Sequence, residues 1–167
     1  NKLIKAVDNT DSNLNMKYKK ILLFCISIYF LIISPFGTII GLGNLYSNIQ
    51  NIKNVCGVTS STFINYVYYS YAYTLLEFIR TSLVLTAGIK INSAKPNLNF
   101  AHFYMNFYII YWIITSIILN YWFKIIIFPY KPDFSYAANT IGQIIGAFII
   151  FFIISNMLKL FQKYIKS

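Results

Sequence analysis

The sequence predicts an all-α integral membrane protein, in which four transmembrane helices form a bundle. Of its 167 residues, 57% are hydrophobic and only 11% are charged, whereas about a quarter of a soluble domain is charged. The apolar residues fall into four long runs, and about 20 apolar residues are enough to cross the hydrocarbon core of a bilayer. Most of the net charge of +10 lies in the short polar segments between the runs.

The first predicted span covers residues 21–42, which carry no charge, and it follows a basic polar tail at 1–20. The end of this tail and the apolar run resemble a secretory signal peptide. No small-residue cleavage site follows, so we expect an uncleaved span. We expect Pro35 to bend its outer half, because proline removes a backbone hydrogen bond. A loop is predicted at 43–60.

The other three spans are predicted at about 62–89, 101–123 and 137–158. They complete a single transmembrane domain over 21–158. The third loop, "PYKPDFSY" at 129–136, holds two prolines, which favour an extramembrane turn. A basic tail at 159–167 ends the chain.

Lysine positions predict the orientation. Ten lysines fall on the predicted face that holds both termini and three fall on the other, and the face richer in lysine normally stays inside. Both termini are therefore predicted on the positive-inside face, which in mitochondria is the matrix. The lysines flank apolar runs and line no groove, so we expect anionic lipid headgroups and no nucleic acid as partners. Headgroup contacts are predicted for Lys17, Lys19, Lys20, Lys159 and Lys163.

The second span carries a polar stripe, whose residues follow each other in steps of three and four and so share one helix face. The polar stripe consists of Tyr66, Tyr69, Tyr73, Glu77 and Arg80. Charges inside a bilayer face protein or water. This face is therefore predicted to be covered, with the apolar opposite side toward lipid.

Three alternatives account for Glu77 and Arg80. The two side chains pair with each other, or with Asn and Thr of neighbouring helices, and fix the packing. They bridge instead to a partner subunit or a lipid headgroup. In the third alternative they belong to a proton or ion path, although the other three spans contain no acid.

Two matching glycine motifs, "GTIIG" (37–41) and "GQIIG" (142–146), lie in the first and fourth spans. Small residues at this spacing let helix backbones approach closely. The residues predicted to pack are Gly37, Gly41, Ala138, Gly142 and Gly146. We expect the two motifs to meet at matching depth. The alternatives are coincidence in an isoleucine-rich chain, or a motif that receives the helix of another protein.

Amide and hydroxyl side chains in the third and fourth spans are predicted to join these helices by hydrogen bonds, each contributing roughly 0.6–2 kcal/mol. They are Asn106, Asn120, Asn139, Thr140 and Gln143.

The sequence contains no set of residues for catalysis or metal binding. His102 is the only histidine, so the chain by itself lacks two histidine ligands for a haem. Cys25 and Cys56 fall on opposite predicted faces and are too far apart to pair. We therefore expect no enzyme, no catalytic residue, no cofactor and no metal.

The four-span topology and the stretch "KPNLNF" (95–100) before the third span resemble the MARVEL (synaptophysin-like) group. This resemblance implies a self-associating membrane organiser. The paired loop cysteines of several four-span families are missing, and we assign no family.

Short loops and the lack of a catalytic set favour a non-catalytic integral subunit that contributes to assembly and stability of a larger multi-subunit membrane complex. A mitochondrial respiratory-chain or ATP-synthase complex in the inner membrane is the first expectation, with other integral subunits and lipids as partners. The alternatives are a self-associating four-span organiser of endomembranes or plasma membrane, and a channel or carrier component that uses the polar stripe. Asn1 fits both a processed N-terminus and an incomplete chain.

Overall fold

The computed structural model describes residues 2–128 and 131–165. Residues 129–130 of the predicted third loop lie outside the described chain, as does Lys166 of the predicted C-terminal tail. The side chains of residues 1–13, 15, 164 and 165 also lie outside the described set. The described ranges are helical between short turns and hold no strand, which confirms the predicted all-α class.

Five α-helices and one π-helical turn follow each other along the described chain. In order they are α1 (Lys2–Ile28), the π-turn (Tyr29–Ile33), α2 (Ser34–Cys56), α3 (Ser61–Ile91), α4 (Leu98–Ile127) and α5 (Tyr136–Ile165). Because no break separates α1, the π-turn and α2, these three form one continuous helical segment. The predicted tails at 1–20 and 159–167 are thus largely helical extensions.

Three helical stretches are long and apolar enough to cross a membrane, namely Met16–Cys56, Leu98–Ile127 and Tyr136–Lys163. They support the prediction of a membrane protein. α3 is not among these stretches, although its 31 residues give sufficient length. The polar stripe explains this, because tyrosines and two charged residues lower the hydropathy of α3.

The first helical segment extends beyond the predicted end of its span. Residues 43–56, predicted as part of a loop at 43–60, belong to α2. Asparagine has a low helix propensity, so this asparagine-rich stretch does not stand out as helix. It is held by packing, because Leu45 and Ile52 are buried in one cluster with Tyr66 of α3. Gly57 then ends α2 with a φ of +86°, in the left-handed region that favours glycine.

The π-turn lies directly before Pro35. Its closing hydrogen bond runs from the Ser34 amide to the Tyr29 carbonyl, five residues back. A proline ring inside a regular α-helix clashes with the carbonyl of the residue four positions earlier, which is Leu31 here. The wider turn accommodates that ring. The irregularity therefore lies where the sequence predicted a disturbance.

Two apolar clusters hold opposite ends of the bundle. The first contains Phe30, Val84, Tyr104 and Phe161 and joins α1, the π-turn, α3, α4 and α5. We call this the terminal end. The second joins α2, α3 and α4 around Tyr66, and we call this the loop end. α1 contacts α5, whereas α2 contacts α3 and makes no helix-to-helix contact with α5 among the described residues.

A tight contact joins α3 to the π-turn at Gly88. A Cβ atom added to Gly88 would lie 2.6 Å from Leu31 Cδ2 and 3.1 Å from Phe30 Cβ. Ala87 beside it is fully buried. This close approach could not be predicted from a small-residue motif, because "TAGI" (86–89) does not form a GxxxG motif.

Candidate functional site

The polar stripe of α3 faces the interior of the bundle. Tyr66, Tyr69 and Arg80 are buried, and Tyr73 and Glu77 are half-buried. On the opposite side of α3, Phe78 is 68% exposed. The helical spacing predicted this arrangement, in which other helices cover the polar face and the apolar face is exposed.

Glu77 and Arg80 form an ion pair with each other. Arg80 donates two hydrogen bonds to the same carboxylate oxygen, from Nε at 3.2 Å and from Nη2 at 2.9 Å to Glu77 Oε2. The side chains are 7% and 12% exposed, for Arg80 and Glu77 respectively. The geometry corresponds to the first of the three alternatives derived from the sequence.

Two hydroxyl groups of α2 complete the cover of this pair. Arg80 Nη1 donates to Ser34 Oγ at 2.9 Å, and Arg80 Nη2 donates to Thr38 Oγ1. Thr38 Oγ1 also lies 3.2 Å from Glu77 Oε2 and 3.2 Å from the Thr81 hydroxyl. Both charges therefore have polar partners from the first helical segment, and the cover comes from this chain.

Ser34 and Thr38 were not among the predicted site residues. They stand four residues apart and so lie on one face of α2, and both are buried. Two hydroxyls on one face of an uncharged span were the available signal. Which of the other three helices they would face depends on the π-turn before them.

A polar cavity begins on the loop-end side of Glu77. This deep cavity has a volume of about 130 Å³ and is lined by Tyr73, Glu77, Tyr111, Ser116 and Gln143, among others. Tyr73 and Gln143 also line a second, wider mouth cavity of about 360 Å³. The two cavities therefore adjoin each other, and the deep cavity contains Glu77 in its wall.

The mouth cavity lies in the gap between α2 and α5. Asn44 of α2 and Asn139 of α5 line it and are both exposed. Since α2 and α5 do not contact each other among the described residues, nothing described closes the gap. The loop end therefore holds a polar opening, while the terminal end is packed around the apolar cluster of Phe30, Val84, Tyr104 and Phe161.

An amide network joins α4 to α5 beside the cavities. Asn120 Nδ2 donates to Gln143 Oε1 at 3.0 Å and to Thr140 Oγ1 at 3.2 Å, and Asn139 Nδ2 donates to Asn120 Oδ1 at 3.3 Å. Four of the five predicted polar residues thus join the helices as expected. Asn106 is exposed and is not part of this network.

The two glycine motifs do not meet, contrary to the expectation from the sequence. Gly37 and Gly41 belong to α2 and Gly142 and Gly146 to α5, and these helices do not contact each other among the described residues. The physical reason is that α1, and not α2, packs against α5. A Cβ at Gly41 would lie 2.9 Å from the Tyr73 hydroxyl, whereas Gly37, Gly142 and Gly146 have open space. Ala138 is exposed.

The predicted headgroup contacts lie near the terminal end, on α1 and α5. Lys17, Lys20, Lys159 and Lys163 are exposed, and Lys19 is half-exposed. Their exposure is compatible with a role at a membrane surface.

Chemistry other than the ion pair is sparse in the described chain. The described residues contain no group of three or more His, Cys, Asp or Glu side chains suited to a metal ion. His102 is half-buried near the start of α4. Cys25 and Cys56 are free thiols. The Glu77–Arg80 pair and its adjoining cavities are therefore the candidate site.

Comparison with known proteins gives no assignment, because no protein family, curated protein or solved structure matches the chain.

Proposed function

We propose that this chain is a non-catalytic integral membrane subunit that contributes to the assembly and stability of a larger multi-subunit membrane complex. The observation that carries the proposal is how its polar groups are used. Glu77 and Arg80 are paired with each other and with Ser34 and Thr38. Charged side chains whose hydrogen-bonding atoms are occupied by internal contacts favour a structural role over catalytic turnover.

The exposed small-residue face of α5 supports a partner helix. Ala138 and Gly142 stand four residues apart and are exposed, with open space where a side chain would project from Gly142. Lipid tails gain nothing from glycine, whereas another helix backbone can approach closely there. Neighbouring integral subunits are the proposed occupants of this face, and anionic lipids the proposed partners of the lysines near the terminal end.

The proposal includes four spans with both termini on the positive-inside face, and α3, second in chain order, is the span added to the three apolar stretches. The lysine distribution supports this orientation. The mitochondrial inner membrane is the favoured location, with the matrix as the positive-inside compartment. An endomembrane or the plasma membrane comes second.

Purification in mild detergent followed by native electrophoresis and mass spectrometry tests the proposal. We expect the tagged chain in a defined complex with several different integral membrane proteins. Gly142→Leu, which projects into open space, should preserve the fold and displace the chain from that complex. Phe152→Leu on another exposed position of α5 is the matched control and should remain in the complex. A monomer or a homo-oligomer in the native preparation would refute the proposal.

A channel or carrier component is the second candidate, and the polar cavities favour it. They reach from the loop end to Glu77, at a depth where a lipid-facing helix would be apolar. Flux through reconstituted protein tests this candidate, with Glu77→Gln/Arg80→Gln as the comparison. Equal flux through the unaltered protein and the double variant would rule out a channel or carrier role.

A further inference from the structure

We propose that the deep cavity is a binding site for a small organic cation of the primary-ammonium class, which enters from the loop end and binds at Glu77. The inference is independent of the chain's proposed place in a complex. It rests on the charge, the size and the walls of the cavity.

The charge facing the cavity is negative. Glu77 lines the deep cavity, and Arg80 does not. All hydrogen bonds that Glu77 accepts in the described structure end on Oε2. Oε1 is therefore left for a further donor. The ion pair as a whole is neutral. Glu77 lines the cavity directly, whereas the Arg80 guanidinium donates to Ser34 and lies 6.0 Å from the centroid of the Trp112 ring.

The walls suit an ammonium group. Tyr69, Tyr73, Tyr111 and Trp112 line the deep cavity, and aromatic faces attract cations through their quadrupole. The amide oxygens and hydroxyls of the cavity accept hydrogen bonds, and an ammonium group donates three. Carboxylate and aromatic walls together therefore match a cation and oppose an anion.

The route to Glu77 lacks a basic barrier. Lys53, Lys124 and Lys131 are exposed near the loop end, but none of them lines the deep cavity or the mouth cavity. Asn44 and Asn139 line the entrance instead. A polar, uncharged entrance admits water and small solutes.

Size limits the ligand. A cavity of about 130 Å³ has room for several water molecules. A solute of a few heavy atoms fits. Beyond Glu77, the ring contact of Phe30 with Tyr104 belongs to the apolar cluster of the terminal end. No buried residue of that cluster lines the deep cavity, so the described cavity is a one-sided site.

Thiol modification of the full chain in detergent micelles tests the inference. Cys25 and Cys56 are replaced by serine, and Ser116, which lines the deep cavity, is replaced by cysteine. Two reagents are compared, 2-aminoethyl methanethiosulfonate with a primary ammonium and the larger 2-sulfonatoethyl methanethiosulfonate with an anion. The Glu77→Gln/Arg80→Gln variant, which keeps the cavity, separates the effect of size from that of charge. Thr59→Cys in the loop after α2 supplies the reference ratio of the two rates, because Thr59 is exposed.

We expect Ser116→Cys to prefer the ammonium reagent by up to about tenfold over the reference ratio, because Glu77 lines the cavity while its partner Arg80 offsets part of the attraction. Methylammonium chloride should slow the reaction, whereas equal sodium chloride should not. Ile118→Cys, on an exposed apolar face of α4, should react slowly with both reagents.

The Glu77→Gln/Arg80→Gln variant keeps the cavity and removes both charges, so its preference should fall to the reference ratio. Unreactive Ser116→Cys would overturn the inference, because the cavity would then be closed to water. A preference equal to the reference in the unaltered pair would overturn it as well, since the cavity would then hold water without selecting a cation. Both results leave the test of complex membership untouched.

Discussion

At the level of single residues, Glu77 and Arg80 depend on two hydroxyls of a different helix. Thr38 is the more central of these, since its oxygen contacts both charged partners. A buried charge needs hydrogen-bonding partners, because leaving it unpaired costs free energy. The hydroxyl cover therefore adds to the stability that the pair itself provides.

Thr38→Val should lower the free energy of unfolding by about 1–3 kcal/mol, because it removes a hydroxyl that contacts both buried charges at nearly unchanged volume. Reversible unfolding in mixed micelles measures the loss. Thr86→Val is the control, since the Thr86 hydroxyl bonds to the Ser82 carbonyl of its own helix. Equal losses in the two variants would mean that Thr38 contributes only as an ordinary helix residue.

The placement of the polar stripe could be predicted from the sequence, but its partners could not. Steps of three and four between Tyr66 and Arg80 determine which side of α3 is covered, whatever the rest of the chain does. The identity of the cover depends on how the first segment is rotated. The π-turn before Pro35 sets that rotation, and no sequence spacing announces the five-residue hydrogen bond from Ser34 to Tyr29.

At the level of whole elements, the helices are joined by two different devices. α3 meets the π-turn through the absence of a side chain at Gly88, and α4 meets α5 through the amides around Asn120. The second device was predicted from the asparagines, because polar groups inside a membrane bundle seek each other. The first was missed, and the expected contact between the two GxxxG motifs was wrong.

Gly88→Ala should destabilise the protein by about 1–3 kcal/mol, since the added methyl group would overlap Leu31 and press on Phe30. Gly142→Ala meets open space and should be neutral or slightly stabilising through its helix propensity. Thermal unfolding of the two variants in the same detergent compares them. A Gly88→Ala protein as stable as Gly142→Ala would show that α3 does not approach the π-turn this closely.

Asn120→Leu should loosen α4 from α5, because three hydrogen bonds of the network end on Asn120. At roughly 0.6 kcal/mol per bond in a membrane protein, the expected loss is about 2 kcal/mol. Asn106→Leu on the same helix is the matched control, since Asn106 is exposed, and it should cost little. The unfolding midpoints of the two variants are compared, and identical values would contradict the hydrogen-bond network between α4 and α5.

On the scale of the whole molecule, the bundle is tightly packed at its terminal end and contains polar cavities at its loop end. Phe30, Val84, Leu158 and Phe161 are fully buried at the terminal end. α2 diverges from α5 at the loop end and leaves the two cavities between them. Membrane bundles that are packed throughout lack this asymmetry. Within the described chain, the last turns of α2 therefore pack on α3 and not on α5, beside the mouth cavity.

Amide hydrogen exchange in micelles should reflect the asymmetry within α3. Protection depends on how often a segment opens to water, so amides near Val84–Ile91 should exchange more slowly than those near Tyr69–Glu77. Peptide-resolved mass spectrometry compares the two segments on one helix, which removes differences between helices. Uniform protection along α3 would mean that the cavities do not admit water.

The central claim is that Glu77 and Arg80 form an internal structural pair that is covered by this chain. A double-mutant cycle tests it most directly, with Glu77→Gln, Arg80→Gln and the double variant unfolded in the same micelles. Removing one partner strands a buried charge and is expected to cost about 3–5 kcal/mol. Glu77→Gln should therefore be less stable than the double variant, which leaves no buried charge unpaired. Additive losses from the two single changes would contradict it.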